Sequence, residues 1–417
     1  MGNKDGFEKL RCRPTLAWVA VALCSAGFLQ AAPKPELLTA AIEGNFARVR
    51  SLVQGGANPD QADVDGTTAL HWVVRGDDLQ TTRFLIQHGA NVNAADRYGE
   101  TPMHLACLNG DAAVVRLLLE AGVDPDAANP HGETPLMTAS RTGALDTMKL
   151  LLERGATVDA TENVRKQTAL MWAVAEDHRD GVKLLLQYKA NINARSGIYT
   201  PPPIPPQRVG QAAGAGITRQ KSPSVPQGLM SPLLYATRAG NLEMIKLLLS
   251  SGADVNQTDA NNTSPLLLAL VNGHLDVAAF LLEKGADPNI TDGFGRAALF
   301  GAVDTRNAGY YANPLAGENK TDSLELIEQL LKRGAKPNAQ TTAVVPEPGW
   351  QQTDGSWVNF TGQTPFLRAA LSGDVKVMRL LLSHGADPNI ATREGTTPLM
   401  AAAGVNYVFG RTYTHSS

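Results

Sequence analysis

Cysteine is the scarcest informative residue in this chain of 417. There are three, Cys12, Cys24 and Cys107, so no disulfide framework can hold the fold. A dominant charge is also missing. The formal net charge is −3, without the basic excess that a nucleic-acid footprint requires. Catalytic signatures are absent as well. No H-E-x-x-H, C-x-x-C or G-x-S-x-G occurs, which removes the residues of a zinc protease, a dithiol redox centre and an α/β-hydrolase. The sequence implies no cofactor, no metal and no enzyme. Long apolar runs are lacking too, apart from Thr15 to Leu29, which falls short of the roughly 20 residues of a membrane span.

That single run has informative flanks. Lys4, Lys9, Arg11 and Arg13 precede it, and Ala31, Ala32 and Pro33 follow. A basic start, a short apolar centre and a small-residue exit are the layout of a secretory signal peptide, here residues 1–32. The expectation is export, to the periplasm or the medium. The alternative is an uncleaved segment that anchors the chain to a membrane. Cleavage would remove four basic and two acidic side chains, taking the net charge from −3 to −5, and would leave Cys107 as the only thiol.

The rest of the chain has a beat. Thr68-Ala69-Leu70-His71, Thr101-Pro102-Met103-His104 and Thr134-Pro135-Leu136-Met137 are copies of one phrase, 33 residues apart. Gly56, Gly89, Gly122 and Gly155 keep the same interval. In the unit from Asp96 to Ala128, Thr101-Pro102 opens a helix where the missing proline N–H does no harm. Met103, Leu105, Ala106 and Cys107 give that helix an apolar face, and Gly110 ends it. Val114, Val115, Leu117, Leu118 and Leu119 form the stripe of a second helix, and Gly122 closes it in the left-handed conformation. Neither helix is long enough to stand alone, so units must stack.

Period, phrase and closure together resemble the ankyrin repeat and, with the N-terminal segment, exported bacterial proteins built from such repeats. The resemblance covers most of the chain after about Pro35. Pro35–Ala62 is a degenerate first unit. Others start at Asp63, Asp96, Asn129 and Glu162 and around Ser231, Ser264, Ala297 and Thr364, with a last one from Thr397. The resemblance implies an all-α solenoid of about nine to ten helix-turn-helix units with hairpin loops. Residues 33–195 read as a first stack and 227–417 as a second, separated by a proline-rich insertion, 196–226. Further insertions fall at about 304–321 and 341–361, the last with Trp350, Trp357 and Phe360. After Ala403 no second helix follows. Either the chain is a fragment of a longer protein or something else covers its end.

Most conspicuous polar residues belong to the repeat. The resemblance implies that His71 and His104 brace the loop around the motif threonine. His88 and His384 sit at helix ends, where the dipole favours positive charge. Asn93, Asn193, Asn256, Asn289, Asn338 and Asn389 satisfy backbone groups in the hairpin loops. Asp63 and Gly66 are turn residues and not a calcium loop, since Val74 stands where a glutamate is needed. The segment Gly216–Ser222 has Gln220 in place of the glycine of a phosphate loop.

The resemblance further implies a concave groove, lined by hairpin tips and first helices, for a protein partner. Trp72, Arg75, Arg97, Tyr98, Leu108, Asn109, His131, Arg141, Trp172, Tyr235 and Arg238 are its candidate residues, since aromatic and arginine side chains dominate binding hot spots. Trp72, Trp172 and Tyr235 share one repeat position and are part of the core as well. The function expected is an exported interaction scaffold with no nucleic-acid partner, touching a membrane only through an uncleaved N-terminus. The alternative is the recognition half of an enzyme whose catalytic domain lies beyond residue 417.

Overall fold

The computed structural model describes residues 35–200, 225–307, 319–343, 345 and 361–403. The signal-like segment, the core of the proline-rich insertion, Trp350, Trp357, Phe360 and residues 404–417 lie outside the described residues, as does Gly216–Ser222.

Nineteen helices are described, and none exceeds ten residues. The first helices of successive units are α1 (Glu36–Ile42), α3 (Ala69–Arg75), α5 (Pro102–Asn109), α7 (Pro135–Thr142), α9 (Ala169–Ala175), α11 (Pro232–Arg238), α13 (Pro265–Val271), α15 (Ala298–Asn307), α17 (Pro365–Leu371) and α19 (Pro398–Ala402). Each of the first nine is followed by a second helix: α2 (Phe46–Gln54), α4 (Leu79–Gln87), α6 (Ala112–Glu120), α8 (Leu145–Glu153), α10 (Arg179–Gln187), α12 (Leu242–Ser250), α14 (Leu275–Glu283), α16 (Ser323–Lys332) and α18 (Val375–Ser383). Nine helix pairs and one single helix are the solenoid that the period implies.

Local chemistry sets the helix starts. Thr101, Thr134, Thr168, Ser231, Ser264, Thr364 and Thr397 each accept from the backbone N–H three residues on. Such a cap is worth about 1 kcal/mol. His71 and His104 extend the cap into the next unit. The His71 Nδ1 accepts from the Thr68 N–H at 3.1 Å, which leaves the proton on Nε2 for the Glu100 carbonyl at 3.1 Å. His104 likewise reaches the Glu133 carbonyl at 3.0 Å. Both rings are 2% exposed. Burial pushes the His71 pKa below its ordinary value, against the raising effect of the Glu100 contact.

Packing supplies the rest. First helices pack on first helices along the chain, and second helices flank them. One hydrophobic core runs from Leu37 to Ala386, with Leu70, Leu118, Leu136 and Leu151 fully buried. Cys107 is buried in it, and burial raises its thiol pKa far above the ordinary range, so it packs as a small apolar residue. Gly122 closes its unit at φ +91°, and Lys189 occupies the same repeat position at φ +67°.

Two ladders tie the units. One backbone bond joins neighbouring hairpin tips, as from Arg97 N–H to the Asp65 carbonyl and from Asn163 N–H to the His131 carbonyl, both 2.7 Å. The second ladder uses the unit-boundary amides. Asn193, Asn256, Asn289 and Asn338 accept from the backbone N–H groups of Asp254, Asp287, Lys336 and Asp387. These asparagines satisfy backbone groups as expected, but in the following unit and not in their own loop. Turn roles go to Asp63, Asp96 and Asn129, whose Oδ1 atoms accept N–H groups two and four residues on.

Across the proline-rich segment α11 packs directly on α9. Ser196 N–H donates to the Met230 carbonyl at 3.1 Å, the pairing that Asp63 makes with Thr67 elsewhere. The strands β1 (Ile198–Tyr199) and β2 (Gln227–Gly228) then pair antiparallel. The segment is therefore an enlarged hairpin of one unit, inserted where helix contacts are undisturbed. On either side of the Trp-bearing insertion, Thr341 N–H pairs with the Gln363 carbonyl at 3.0 Å. The third insertion joins α15 to α16, and its returning end caps α14. Asn319 Oδ1 accepts from Leu275 N–H at 2.9 Å, and Asp276 accepts from Thr321. Burial tends to raise the Asp276 pKa, but hydrogen bonds from Thr321 and Lys320 outweigh it and hold the carboxyl below its usual value.

Candidate functional site

The solenoid repeats two first-helix positions along one face. The fourth residue after the cap is Trp72, Leu105, Thr138, Trp172, Tyr235 or Leu268, and the seventh is Arg75, Leu108, Arg141, Ala175, Arg238 or Val271. In α3 and α11 the ring and the arginine belong to the same helix, and Arg75 and Arg238 lie 5.7 and 5.1 Å from the centroids of Trp72 and Tyr235. Arg141 instead reaches across from α7 to the Trp172 ring of α9, at 5.1 Å. At the tips Arg97 covers Tyr98 at 4.8 Å and pairs with Asp65 at 2.7 Å. Eight of the candidate residues are thus four cation-on-ring pairs, each worth about 0.5–1 kcal/mol at an exposed site.

Three of the rings are at least half-buried, whereas Tyr98 is 59% exposed. Trp72 and Trp172 are half-buried, and the indole N–H of each is enclosed without an acceptor. An unmade buried hydrogen bond costs about 1–3 kcal/mol. Arg75, Arg97, Arg141 and Arg238 are exposed. Leu108 adds an apolar side chain that is 48% exposed.

Two candidates are committed elsewhere. Asn109 Nδ2 donates to the Val74 carbonyl of α3 at 2.9 Å, so it ties two units together. Tyr235 is only 8% exposed, and its hydroxyl accepts from Gln167 at 2.5 Å. It is a core residue that offers a base for Arg238.

His131 lines a cavity of about 240 Å³ with Glu133, Glu162, Val164, Arg165, Gln167 and Trp172. Glu162 is 5% exposed and accepts from the backbone N–H groups of Val164, Arg165 and Gln167, so it shapes the tip. Glu133 pairs with Arg141 at 3.1 Å. The sequence reading missed Val164, Arg165 and Gln167. Part of the signal was available: stepping one unit on from Pro130-His131 lands on Asn163-Val164, and Gln167 matches Glu100 and Glu133 just before the cap, but this hairpin is one residue longer and Arg165 has no counterpart at the regular interval. The same unit holds three of the six non-glycine residues at positive φ among the described residues, Lys166, Asp177 and Lys189. Backbone strain of this kind concentrates where a site is built.

Further along, the arginines have different partners. Arg306 of α15 contacts Asp374 at 2.8 Å, and Arg368 of α17 contacts Asp304 at 2.6 Å. Both are largely buried. Among the described residues no group of three or more His, Cys, Asp and Glu is placed to hold a metal, and no helix is long and apolar enough to cross a membrane.

A family model described as ankyrin repeats (3 copies) matches residues 37–129, 122–196, 213–292 and 315–409. The 2-5A-dependent ribonuclease of Mus musculus is 36% identical over 76 residues, and that of Homo sapiens is 31% identical over 84. Those stretches are 18% and 20% of this chain, and only 8% and 9% of the ribonucleases. Among solved structures, the human ASB11 ankyrin repeat domain is 25% identical with a TM-score of 0.48, over 61% of this chain and 100% of its own. The ankyrin repeat domain of Bcl-3 is 28% identical with a TM-score of 0.45, over 56% and 93%.

Proposed function

Because the chain belongs to the ankyrin repeat family, whose repeats are protein-interaction scaffolds, we propose that it holds a partner protein against the inner face of α3 to α11. The observation that supports this reading is the set of exposed arginines stacked on anchored rings. Such side chains are pre-organised, so little rotamer freedom is lost on docking. The test is affinity capture from the native host, comparing the wild type with an Arg75→Gln, Arg141→Gln, Arg238→Gln variant. A partner that depends on the three arginines is the expected result. A partner held equally by both proteins contradicts the reading.

We also propose that the protein is exported, on the strength of residues 1–32. N-terminal sequencing of the protein purified from cell fractions tests this. A start beyond Leu29 is expected, and an intact Met1 on cytoplasmic protein overturns it. The second reading, a recognition half attached to a catalytic domain beyond residue 417, has the ribonuclease similarity in its favour. That similarity spans only a small part of either chain, and it would gain weight only if transcripts extended the reading frame into a catalytic domain.

A further inference from the structure

The charges on the inner face are not balanced. Arg97 and Arg141 have carboxylate partners in Asp65 and Glu133. Arg75, Arg165, Lys166 and Arg238 are exposed and have no carboxylate within ion-pair distance among the described residues. The remaining carboxylates near them are Glu162, whose oxygens accept from the Val164, Arg165 and Gln167 N–H groups, and Asp77 and Glu176, at the C-terminal ends of α3 and α9. Asp77 makes no ion pair with Arg75, and its carboxyl shares a hydrogen bond with Asp111. A chain of net charge −3 therefore keeps unanswered positive charge on the one face that also displays Trp72 and Trp172.

Resting on the interaction reading above, we propose that this face takes an extended acidic segment of a partner protein. Carboxylates of the segment sit on Arg75, Arg165 and Arg238, and its apolar side chains sit beside Trp72 and Trp172. Helices packed 8–10 Å apart put α11 about 32–40 Å from α3. An extended chain rising about 3.3 Å per residue covers that with about ten to twelve residues. The rings of Trp72 and Tyr235 hold the Arg75 and Arg238 guanidinium groups in place from below, which leaves their donors free for bidentate carboxylate contacts.

Selection from a display library of random peptides of about twelve residues tests the proposal on the full chain. Wild-type protein is expected to enrich Asp and Glu, and a selected peptide should bind about tenfold more weakly when ionic strength is raised from about 50 to 300 mM. The Arg75→Gln, Arg165→Gln, Arg238→Gln variant, checked for an unchanged melting temperature, should lose the enrichment. The charge-reversed variant with Glu at those positions should enrich Lys and Arg. Neutral or basic peptides selected by the wild type, or no enrichment at all, would overturn the acidic-segment proposal. So would displacement of a selected peptide by single-stranded DNA at lower concentration than by free acidic peptide. A partner that crosslinks in cells to Leu108 while acidic enrichment fails would leave the interaction reading standing and remove only this one.

Discussion

The arginines of α3 to α11 and those of α15 to α17 differ in what they rest on. Arg75, Arg141 and Arg238 lie over rings and stay exposed. Arg306 and Arg368 are 16% and 14% exposed, and each meets an aspartate from a neighbouring unit. Arg306 also donates to Ser323 at 2.6 Å, and Arg368 to Ser372 at 2.6 Å. One residue type thus does two jobs along one stack. Over a ring, its charge is held but still available to a partner. Against a buried carboxylate, it is consumed in joining helices across an insertion.

The largest expected effect comes from breaking the second kind of contact. Replacing Asp374 with alanine leaves Arg306 buried without its partner and removes the cap of α18. We expect a loss of about 3 kcal/mol or more in urea unfolding, whereas Arg75→Ala should stay within about 0.5 kcal/mol. Equal losses would erase the distinction between the two regions.

Acid should weaken the first region through His71 of α3, which has no counterpart in α15 or α17. The folded protein holds His71 neutral with a lowered pKa, while the unfolded chain takes up its proton near 6.5. Protons therefore favour unfolding. The His71 contribution is complete above that pH and fades as pH falls below it. Urea midpoints measured from pH 7.5 down to 5 should decline more steeply in the wild type than in His71→Gln.

Smaller effects sharpen the picture inside the first region. Lys189 stands at a left-handed position where other units place glycine. Lys189→Gly should raise stability by about 1 kcal/mol, read as a higher melting temperature. Trp172→Phe removes a buried donor that has no acceptor. Its loss should stay below about 1 kcal/mol, because lost ring area and the lost unmade hydrogen bond offset each other. Trp172→Ala should cost about 2 kcal/mol. Similar losses for Phe and Ala would mean that the indole N–H has a partner.

The fold was legible because each unit repeats its own instructions. The cap of Thr101, the turn of Asp96 and the closure of Gly122 are local devices, and the 33-residue interval multiplies them. Site composition was legible for the same reason, since Trp72 and Trp172 fall on one register. Pairing was not. Arg141 reaches the ring of the next unit, and Arg306 meets an aspartate 68 residues away. Asn109 and Tyr235 read as groove residues by type, yet the Val74 carbonyl and Gln167 take their polar groups. The proline-rich insertion showed by composition that it builds no core. Only the Ser196 to Met230 pairing shows that it widens a hairpin and leaves the stack whole.

Central to this account is that partner contact belongs to the ring-borne arginine face. Photo-crosslinking in cells tests that most directly, with a photoreactive residue at exposed Leu108 on α5 or at exposed Leu382 on α18. A defined partner captured from position 108, lost when Arg75, Arg141 and Arg238 become glutamine, and missing from position 382 is the predicted result. Capture from 382 alone, or capture from 108 that ignores the three arginines, would contradict the account.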